Sequence, residues 1–194
     1  MSVFLKIIVV IVILGSISCV QKGIVGSATY DWAESRKYVE HRPSYGYEIG
    51  VVGREPIVNP LMEFLSAGLS YSVRSLELES GADTGYVKVA SIDPSFGFGI
   101  YINDQFYFTP TLRFSIPVSV SSELGDDDYP TEGIWGLKSY AEMDFAYRVN
   151  QKLHVSAFMQ VGSDIMLLSK EPFYDGTGGM RVVGLRMTYL FEDQ

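Results

Sequence analysis

The stretch QFYFTPTLRFSIPVSVS, residues 105–121, alternates between apolar and mostly polar side chains. Its even-numbered positions, from Phe106 to Val120, are all apolar, and most of its odd-numbered positions are polar. Strict period-2 alternation predicts a β-strand with one apolar and one polar face. The stretch is about three times as long as the usual strand of roughly 5–6 residues. Because a tilted strand of about 9–11 residues already crosses a bilayer, we predict a transmembrane strand that projects beyond the membrane.

The same alternation recurs along the rest of the chain. We predict further strands at residues 44–51, 61–78, 86–102, 153–161 and 180–191, one that follows residue 133 and ends at 149, and a first strand within 24–38. Tight turns at 103–104 and 150–151 alternate with longer polar loops at 79–85, 122–133 and 169–179. Short turns on one side and long loops on the other are typical of outer-membrane barrels. The pattern therefore predicts an all-β, eight-stranded, antiparallel up-and-down transmembrane barrel with both termini in the periplasm.

In the strand predicted at 86–102, the alternation of apolar and polar residues changes phase along its length. Its apolar side chains fall on odd positions at Val87 and Val89 but on even positions at Phe96 and Phe98. A one-residue change of phase is what a β-bulge produces. We therefore predict a bulge next to Pro94.

The composition excludes several classes of protein. A formal charge of −8 argues against nucleic-acid binding, which needs a basic face. One cysteine excludes an internal disulfide framework, and there is no Cys/His cluster for zinc. The mean hydropathy of +0.13 is low for a helical membrane protein but fits a barrel, in which only alternate residues face lipid.

The first twenty residues have the pattern of a secretory signal peptide. Lys6 precedes an apolar run at 7–14, and the small residues Gly15, Ser16 and Ser18 follow. A transmembrane helix is the alternative, although Lys6 interrupts the apolar stretch. Cys19 raises the further alternative of a lipoprotein, for which Ser16 is an unusual preceding residue. We predict a signal peptide at 1–20 and a barrel domain at 21–194.

The alternation alone does not say which face is outside, since a soluble lipocalin-like barrel has a polar exterior and an apolar interior. Two features favour the membrane barrel. Aromatic side chains on the apolar face lie close to the tight turns, as a periplasmic girdle would; they are Phe106, Phe108, Tyr147, Tyr189 and Phe191. Charged side chains lie on the other face; they are Arg74, Arg113, Glu142, Asp144, Arg148 and Arg186. Because eight strands leave room only for side chains, we predict paired interior charges and no open pore.

The last strand carries a family resemblance. GLRMTYLF, residues 184–191, resembles the C-terminal assembly signal of outer-membrane proteins at Gly184, Met187, Tyr189 and Phe191, although three more residues follow it. AGLSYSVRSLEL (67–78) and PSFGFGIYI (94–102) resemble the small barrels related to PorT, OmpX and the OmpA N-terminal domain. The resemblance implies insertion by the outer-membrane assembly machinery among outer-membrane lipids and lipopolysaccharide. It implies no particular activity.

Three motifs raise possible chemistry. His154 and Ser156 share one strand face, as a base and a nucleophile would, and are similar to the His-x-Ser of lipid A deacylases. An interior histidine paired with Asp144 or Arg148 is the alternative. The acidic run 126–128 with Glu123 and Glu132 could bind a divalent cation or form a solvated loop. The Gly-rich segment 176–179 lacks the strand-to-helix context of a phosphate loop.

From these patterns we predict a non-enzymatic outer-membrane barrel that acts through its loops or as a partner of an envelope complex, with no catalytic, cofactor or metal site. The alternatives are a lipid-modifying enzyme, a narrow channel and a soluble binding barrel.

A closed barrel predicts a simple solubility and gel-mobility result. Unboiled protein from the outer-membrane fraction should migrate differently from boiled protein, because closed barrels of this kind resist cold SDS. Recovery of the protein as a soluble periplasmic species would instead favour the lipocalin-like alternative.

Overall fold

The computed structural model describes residues 21–33, 40–57, 61–80, 83–124, 138–164 and 180–191. The predicted signal peptide, the acidic run at 126–128 and the predicted loop at 169–179 lie outside these ranges. Within the described part of the chain, no α-helix has the length and apolar character needed to cross a membrane.

In the described part of the chain, nine strands form a single sheet. They are β1 (Gln21–Ala33), β2 (Glu40–Arg42), β3 (Ser44–Pro56), β4 (Met62–Ser80), β5 (Asp83–Tyr101), β6 (Phe106–Leu124), β7 (Lys138–Arg148), β8 (Leu153–Asp164) and β9 (Met180–Leu190). The short β2 and β3 both pair with β4 and are separated only by Pro43. Proline lacks the N–H that the ladder needs, so β2 and β3 are two parts of one barrel strand.

The sheet closes on itself. Each barrel strand pairs antiparallel with its neighbours in sequence, and β1 pairs with both β3 and β9. The closing register places Gly23 opposite Leu190 and Ala33 opposite Met180. The predicted eight-stranded antiparallel barrel is therefore confirmed.

Several strands are longer than the sequence predicted. β4 continues to Ser80 and β5 begins at Asp83, so the predicted loop at 79–85 is largely wrong. β6 likewise continues through Leu124, into the predicted loop at 122–133. Polar residues suggested loops, but strands beyond the lipid need no apolar face and are held by their backbone ladder. The first strand begins at Gln21, three residues before the predicted range.

The predicted bulge beside Pro94 is misplaced. The register between β5 and β6 shifts between Ala90 and Ser91, whose partners are Ser119 and Pro117, so β6 carries the extra residue. Val89 lies opposite Arg74, which faces the lumen, and directly opposed residues share a face of the sheet. The apolar phase changes because Val89 faces inward, not because β5 itself bulges.

Both tight turns are built around an asparagine. The Asn103 side-chain Oδ1 accepts hydrogen bonds from the backbone N–H groups of Gln105 and Phe106, both at 2.9 Å. Asn150 Oδ1 accepts equivalent bonds from Lys152 (2.9 Å) and Leu153 (2.8 Å). Asparagine commonly makes such side-chain-to-backbone turns. The two hairpins thus turn at four residues, 102–105 and 149–152, rather than at the predicted two.

The barrel is apolar outside and polar inside. On β6 Leu112 is 48% exposed on the outer face, whereas its neighbour Arg113 is 3% exposed in the lumen. Exposed aromatic rings near the tight turns form the predicted girdle, with Phe106 and Tyr147 in contact at a centroid distance of 5.0 Å. A soluble lipocalin-like barrel has the reverse arrangement.

The asparagine turns lead to a stability prediction. Asn150→Ala removes two hydrogen bonds and should lower the free energy of unfolding by about 1–2 kcal/mol. Gln151→Ala, in the same exposed turn, is the matched control and should change it by less than about 0.5 kcal/mol. Urea-induced unfolding in detergent or lipid vesicles measures the free energy of unfolding of both variants. Equal losses in the two variants would show that the hydrogen bonds of Asn150 Oδ1 do not stabilise the barrel.

Candidate functional site

The lumen is the strongest candidate site, because it concentrates charged side chains away from water. Nine acidic and arginine side chains are buried there; they are Asp31, Glu48, Arg54, Arg74, Asp93, Arg113, Glu142, Asp144 and Arg186. Of the six charges predicted for the interior, the structure places five among these nine. The sixth, Arg148, lies at the tight-turn rim, where it is 27% exposed and forms an ion pair with Glu63.

Arg186 is the centre of the network. Its Nη1 donates to Glu142 Oε1 (2.6 Å) and Asp144 Oδ2 (2.8 Å), and its Nη2 donates to Glu142 Oε2 (3.0 Å). Glu48 Oε2, on β3, which is separated from β9 only by β1, lies 3.5 Å from Nη2. A guanidinium that binds a carboxylate through two nitrogens is held in one orientation. Arg186 therefore ties β9 to β7 and, more loosely, to β3.

Arg113 makes a second bridge across the lumen. Its Nη1 donates to Glu48 Oε1 (2.7 Å) and Ser70 Oγ (3.0 Å), and its Nη2 lies 3.2 Å from Glu142 Oε2. Glu48 and Glu142 thus each contact both arginines. The two negative carboxylates and the two positive guanidiniums compensate each other's charge, and buried ions require such compensation.

The network continues toward the long-loop end. Glu142 Oε2 accepts a hydrogen bond from Gln160 Nε2 (2.5 Å), and Gln160 Oε1 accepts one from Arg74 Nη2 (2.8 Å). Asp93 Oδ2 accepts a bond from Ser72 Oγ (2.7 Å) and lies 3.8 Å from Arg74. Side chains from seven strands, β3 to β9, therefore fill the middle and upper lumen.

A separate cluster closes the tight-turn end. Arg54 Nη2 donates to the Tyr107 hydroxyl (2.8 Å), and Arg54 Nη1 lies 2.9 Å from His154 Nδ1. The Tyr107 hydroxyl is 2.7 Å from the same ring nitrogen. The Arg54 guanidinium also stacks 4.4 Å from the centre of the Phe64 ring. Since arginine only donates, His154 Nδ1 accepts, and the imidazole proton is on Nε2.

This cluster changes the interpretation of His154. Within the described residues, its side-chain hydrogen bonds go to Arg54 and Tyr107, and not to Asp144, Arg148 or Ser156 as considered from the sequence. Both His154 and Ser156 are buried, at 4% and 6% exposure. A base must contact its nucleophile directly or through one water, and Arg54 and Tyr107 instead occupy His154 Nδ1.

Three of the buried arginines rest on an aromatic ring that itself covers a glycine. Arg186 lies 4.1 Å from the Phe158 ring centre, Arg74 lies 4.8 Å from that of Tyr140, and Arg54 stacks on Phe64. The residues directly opposite these rings on the neighbouring strands are Gly184, Gly162 and Gly99. A Cβ on Gly184 would lie 2.6 Å from the Phe158 ring, so only glycine lets that ring lie flat.

This arrangement gives the predicted assembly-signal residues a structural role. Gly184 faces the lumen beneath Phe158, whereas Met187, Tyr189 and Phe191 are exposed on the outer face at 56%, 42% and 49%. The alternation in the last strand thus places Gly184, beneath the ring that supports Arg186, on the lumen side and the lipid-facing side chains on the outer side.

A small cavity lies between the central network and the tight-turn cluster. Its volume is about 60 Å³, and its wall includes Arg54, Tyr107, Asp144, Ser156 and Arg186. Buried polar atoms without a protein partner lie on the wall residues; they include Arg54 Nε, Asp144 Oδ1 and Arg186 Nε. A polar space of this size holds a few waters. Within the described residues, paired side chains fill most of the lumen at this height and leave room for a few waters.

Sequence reasoning missed four of the nine lumen charges: Asp31, Glu48, Arg54 and Asp93. Asp31 lies on a strand with weak alternation, and Arg54 lies beyond residue 51, where the sequence predicted its strand to end. Asp93 precedes Pro94, where the apparent phase change obscured its face. The alternation of β3 could have placed Glu48, since Tyr47 and Ile49 on either side are apolar.

The network predicts a large cost for removing its centre. Arg186→Ala leaves Glu142 and Asp144 without their main cation and should lower the free energy of unfolding by about 3–5 kcal/mol. Arg148→Ala removes a half-exposed rim pair and should cost no more than about 1 kcal/mol. Unfolding of the two variants in lipid vesicles tests this; similar costs would contradict the central role of Arg186.

Comparisons with known proteins find likeness only in structure. No protein-family model matches the chain, and no curated protein matches it. Ail, the attachment invasion locus protein of Yersinia pestis, is 14% identical over 88% of this chain and 98% of its own, with a TM-score of 0.49. The outer membrane protease OmpT of Escherichia coli is 11% identical over 88% and 96%, with a TM-score of 0.31. The KdgM porin is 7% identical over 88% and 99%, with a TM-score of 0.28.

These values are too low to transfer a function. The chain's own geometry defines its class: the sheet is closed, the outer surface is apolar and the lumen is filled with paired charges. The chain has the architecture of a small outer-membrane β-barrel protein.

Proposed function

We propose that this chain is a non-enzymatic outer-membrane protein whose barrel anchors an interaction surface on the cell exterior. The observation that carries the proposal is the length of three strands. β4, β5 and β6 have 19 residues each, whereas about 9–11 residues are enough for a tilted strand to cross a bilayer. At about 3.3 Å per residue, these three strands extend well beyond the apolar core of the membrane.

The long strands form a projecting sheet, which we define as residues 74–80 of β4, 83–89 of β5 and 116–124 of β6. β2 borders it on one side, with Glu40 and Arg42 opposite Glu79 and Glu77 of β4. Its three strands stay paired with one another, at Ser80 opposite Asp83 and at Gly85 opposite Leu124. Sites built on paired strands are held more precisely than sites on loops. The projecting sheet therefore fits a protein partner that binds a firm surface.

The outer face of the projecting sheet suits water and not lipid. Glu77, Tyr86, Lys88, Ser119 and Ser121 are all exposed there. The apolar outer face of β6 below them is interrupted at the register shift beside Val118. A polar surface that contains tyrosine is typical of a recognition surface.

The side chains that fill the lumen support the interaction role over transport. Bridging arginines at mid-height and the Arg54–Tyr107–His154 cluster below them leave space for a few waters only. A conducting channel needs a continuous polar path. We accordingly propose that the folded barrel carries little current in a planar bilayer.

The architecture also supports the remaining proposals on location and partners. The tight turns and the ends of β1 and β9 lie at one end of the barrel, where Phe191 N–H donates to Lys22 O and Leu190 N–H donates to Lys152 O. In outer-membrane barrels that end faces the periplasm. We propose this orientation, insertion by the outer-membrane assembly machinery through 184–191, and contact with outer-membrane lipids and lipopolysaccharide.

Complementation separates the interaction role from an enzymatic one. In a strain that lacks the protein, a variant in which residues 76–87 are replaced by Asn-Gly should fold but fail to restore the wild-type phenotype, because the projecting sheet is gone. His154→Ala with Ser156→Ala should restore it and leave the lipid profile unchanged. The first variant shortens a hairpin at matched positions, since Ser75 and Lys88 are cross-strand partners.

Two controls accompany this experiment. Heat-dependent gel mobility must show that both variants form barrels. Maleimide labelling of Ser121→Cys in intact cells, with Gln151→Cys as the periplasmic counterpart, checks the orientation in a Cys19→Ser background. Complementation by the shortened variant, together with failure of the His154/Ser156 variant, would overturn the proposal in favour of lumen chemistry.

A further inference from the structure

Arg54 differs from the other arginines that are buried in the lumen. Its hydrogen bonds within the described residues go to two uncharged side chains, His154 and Tyr107. No carboxylate oxygen of the described residues lies within 4.0 Å of its guanidinium. The other three buried arginines each have such a partner; they are Arg74, Arg113 and Arg186. Hydrogen bonds to neutral groups are weaker than those between two ions, so Arg54 is held less firmly than its neighbours.

The contacts of Arg54 depend on an uncharged histidine. His154 Nδ1 accepts a hydrogen bond from Arg54 Nη1 at 2.9 Å and lies 2.7 Å from the Tyr107 hydroxyl. A proton on Nδ1 removes this acceptor, because both nitrogens of a charged imidazole are donors. The proton also places a second positive charge beside the guanidinium, and like charges at this distance repel one another strongly in a buried site.

The groups around His154 do not compensate that added charge. The charged and titratable side chains that the structure describes at this end of the lumen come from five strands; they are Arg54 (β3), Glu63 (β4), Tyr107 (β6), Asp144 and Arg148 (β7) and Arg186 (β9). Arg148 lies directly opposite His154 in the sheet and adds to the positive charge. Both carboxylates already pair with an arginine, Glu63 with Arg148 and Asp144 with Arg186.

The lumen offers Arg54 a second position across the cavity. Arg54 and Asp144 both lie on the wall of this cavity, whose volume is about 60 Å³. Asp144 Oδ1 has no hydrogen-bond partner, and neither has Arg54 Nε. A cavity with room for a few waters also has room for a planar guanidinium that displaces them. In that position Arg54 gains the carboxylate that it lacks beside His154.

We propose that Arg54 is an acid-sensitive switch at the tight-turn end of the lumen. While His154 is neutral, Arg54 bonds to His154 and Tyr107 and closes the cavity on that side. When His154 takes up a proton, Arg54 moves to Asp144 Oδ1 and the cavity opens toward the tight turns. Asp144 Oδ2 keeps its bond to Arg186, so the central network on the far side of the cavity stays in place. Acid therefore admits small solutes from one end of the barrel and creates no pore.

Access of a small thiol reagent to the cavity tests the switch. Thr109 lies on the cavity wall and is 8% exposed, so Thr109→Cys in a Cys19→Ser background reacts when the cavity opens. Its rate of labelling by methyl methanethiosulfonate in the folded barrel is divided by that of Gln151→Cys in the exposed turn, which cancels the pH dependence of thiol reactivity. Opening takes up one proton at His154, so acid favours the open state. The ratio should rise about tenfold from about pH 6 to about pH 5.

Two histidine variants complete the experiment. His154→Asn keeps a neutral acceptor that cannot be charged, so the labelling ratio should no longer change with pH. His41→Asn removes the other histidine of the chain and is the matched control, in which the tenfold rise should persist. If His154→Asn does not fold, NMR follows the imidazole of His154 instead, and the labelling ratio should level off at the pH where this ring is mainly charged. A ratio that is independent of pH with His154 present, an equal rise in His154→Asn, or levelling at another pH would overturn the proposal.

Discussion

The closed hydrogen-bonded ladder is the constraint on which the rest of the structure depends. Lipid offers no partner for a backbone N–H or C=O group, so a sheet can cross a membrane only without free edges. Here β1 supplies the closure by pairing with β3 on one side and β9 on the other. Once the ring is closed, strand alternation directs every second side chain outward and every other one into a narrow lumen. The distribution of charge then follows from the sequence of each strand.

Because the lumen is narrow, its inward-facing charged side chains reach side chains on other strands and cross-link the barrel. Arg113 of β6 reaches Glu48 of β3 and Glu142 of β7, and Arg186 of β9 reaches Glu142 as well. The contacts of Arg113 with Glu48 and of Arg186 with Glu142 join strands that do not pair in the sheet. The rings beneath the arginines fix their direction, and a glycine opposite each ring makes its flat position possible. A glycine in the barrel wall, an aromatic ring over it and a guanidinium over the ring thus follow one another from the wall toward the centre of the lumen.

The sequence predicted the fold well and the lumen only in part, for physical reasons. Alternation is a local property, so it located β4 to β9 and the inward direction of Arg74, Arg113 and Arg186. Partners across the lumen depend on which strands face one another around the ring and at which height. His154 therefore contacts Arg54, one hundred residues away, rather than its own neighbours. Polar strand ends were predicted as loops because, outside lipid, a backbone ladder holds a strand without an apolar pattern.

The asparagine turns and the β1–β9 pairing differ greatly in how far apart along the chain their partners lie. The turns at Asn103 and Asn150 close hairpins whose first partners are six residues apart, whereas the seam joins Gly23 to Leu190. Closure entropy grows with loop length, so we expect local pairings to form early and the distant seam to form late. Until the seam forms, both of its edges are unsaturated. The residues that resemble an assembly signal lie in β9, on one of those two edges.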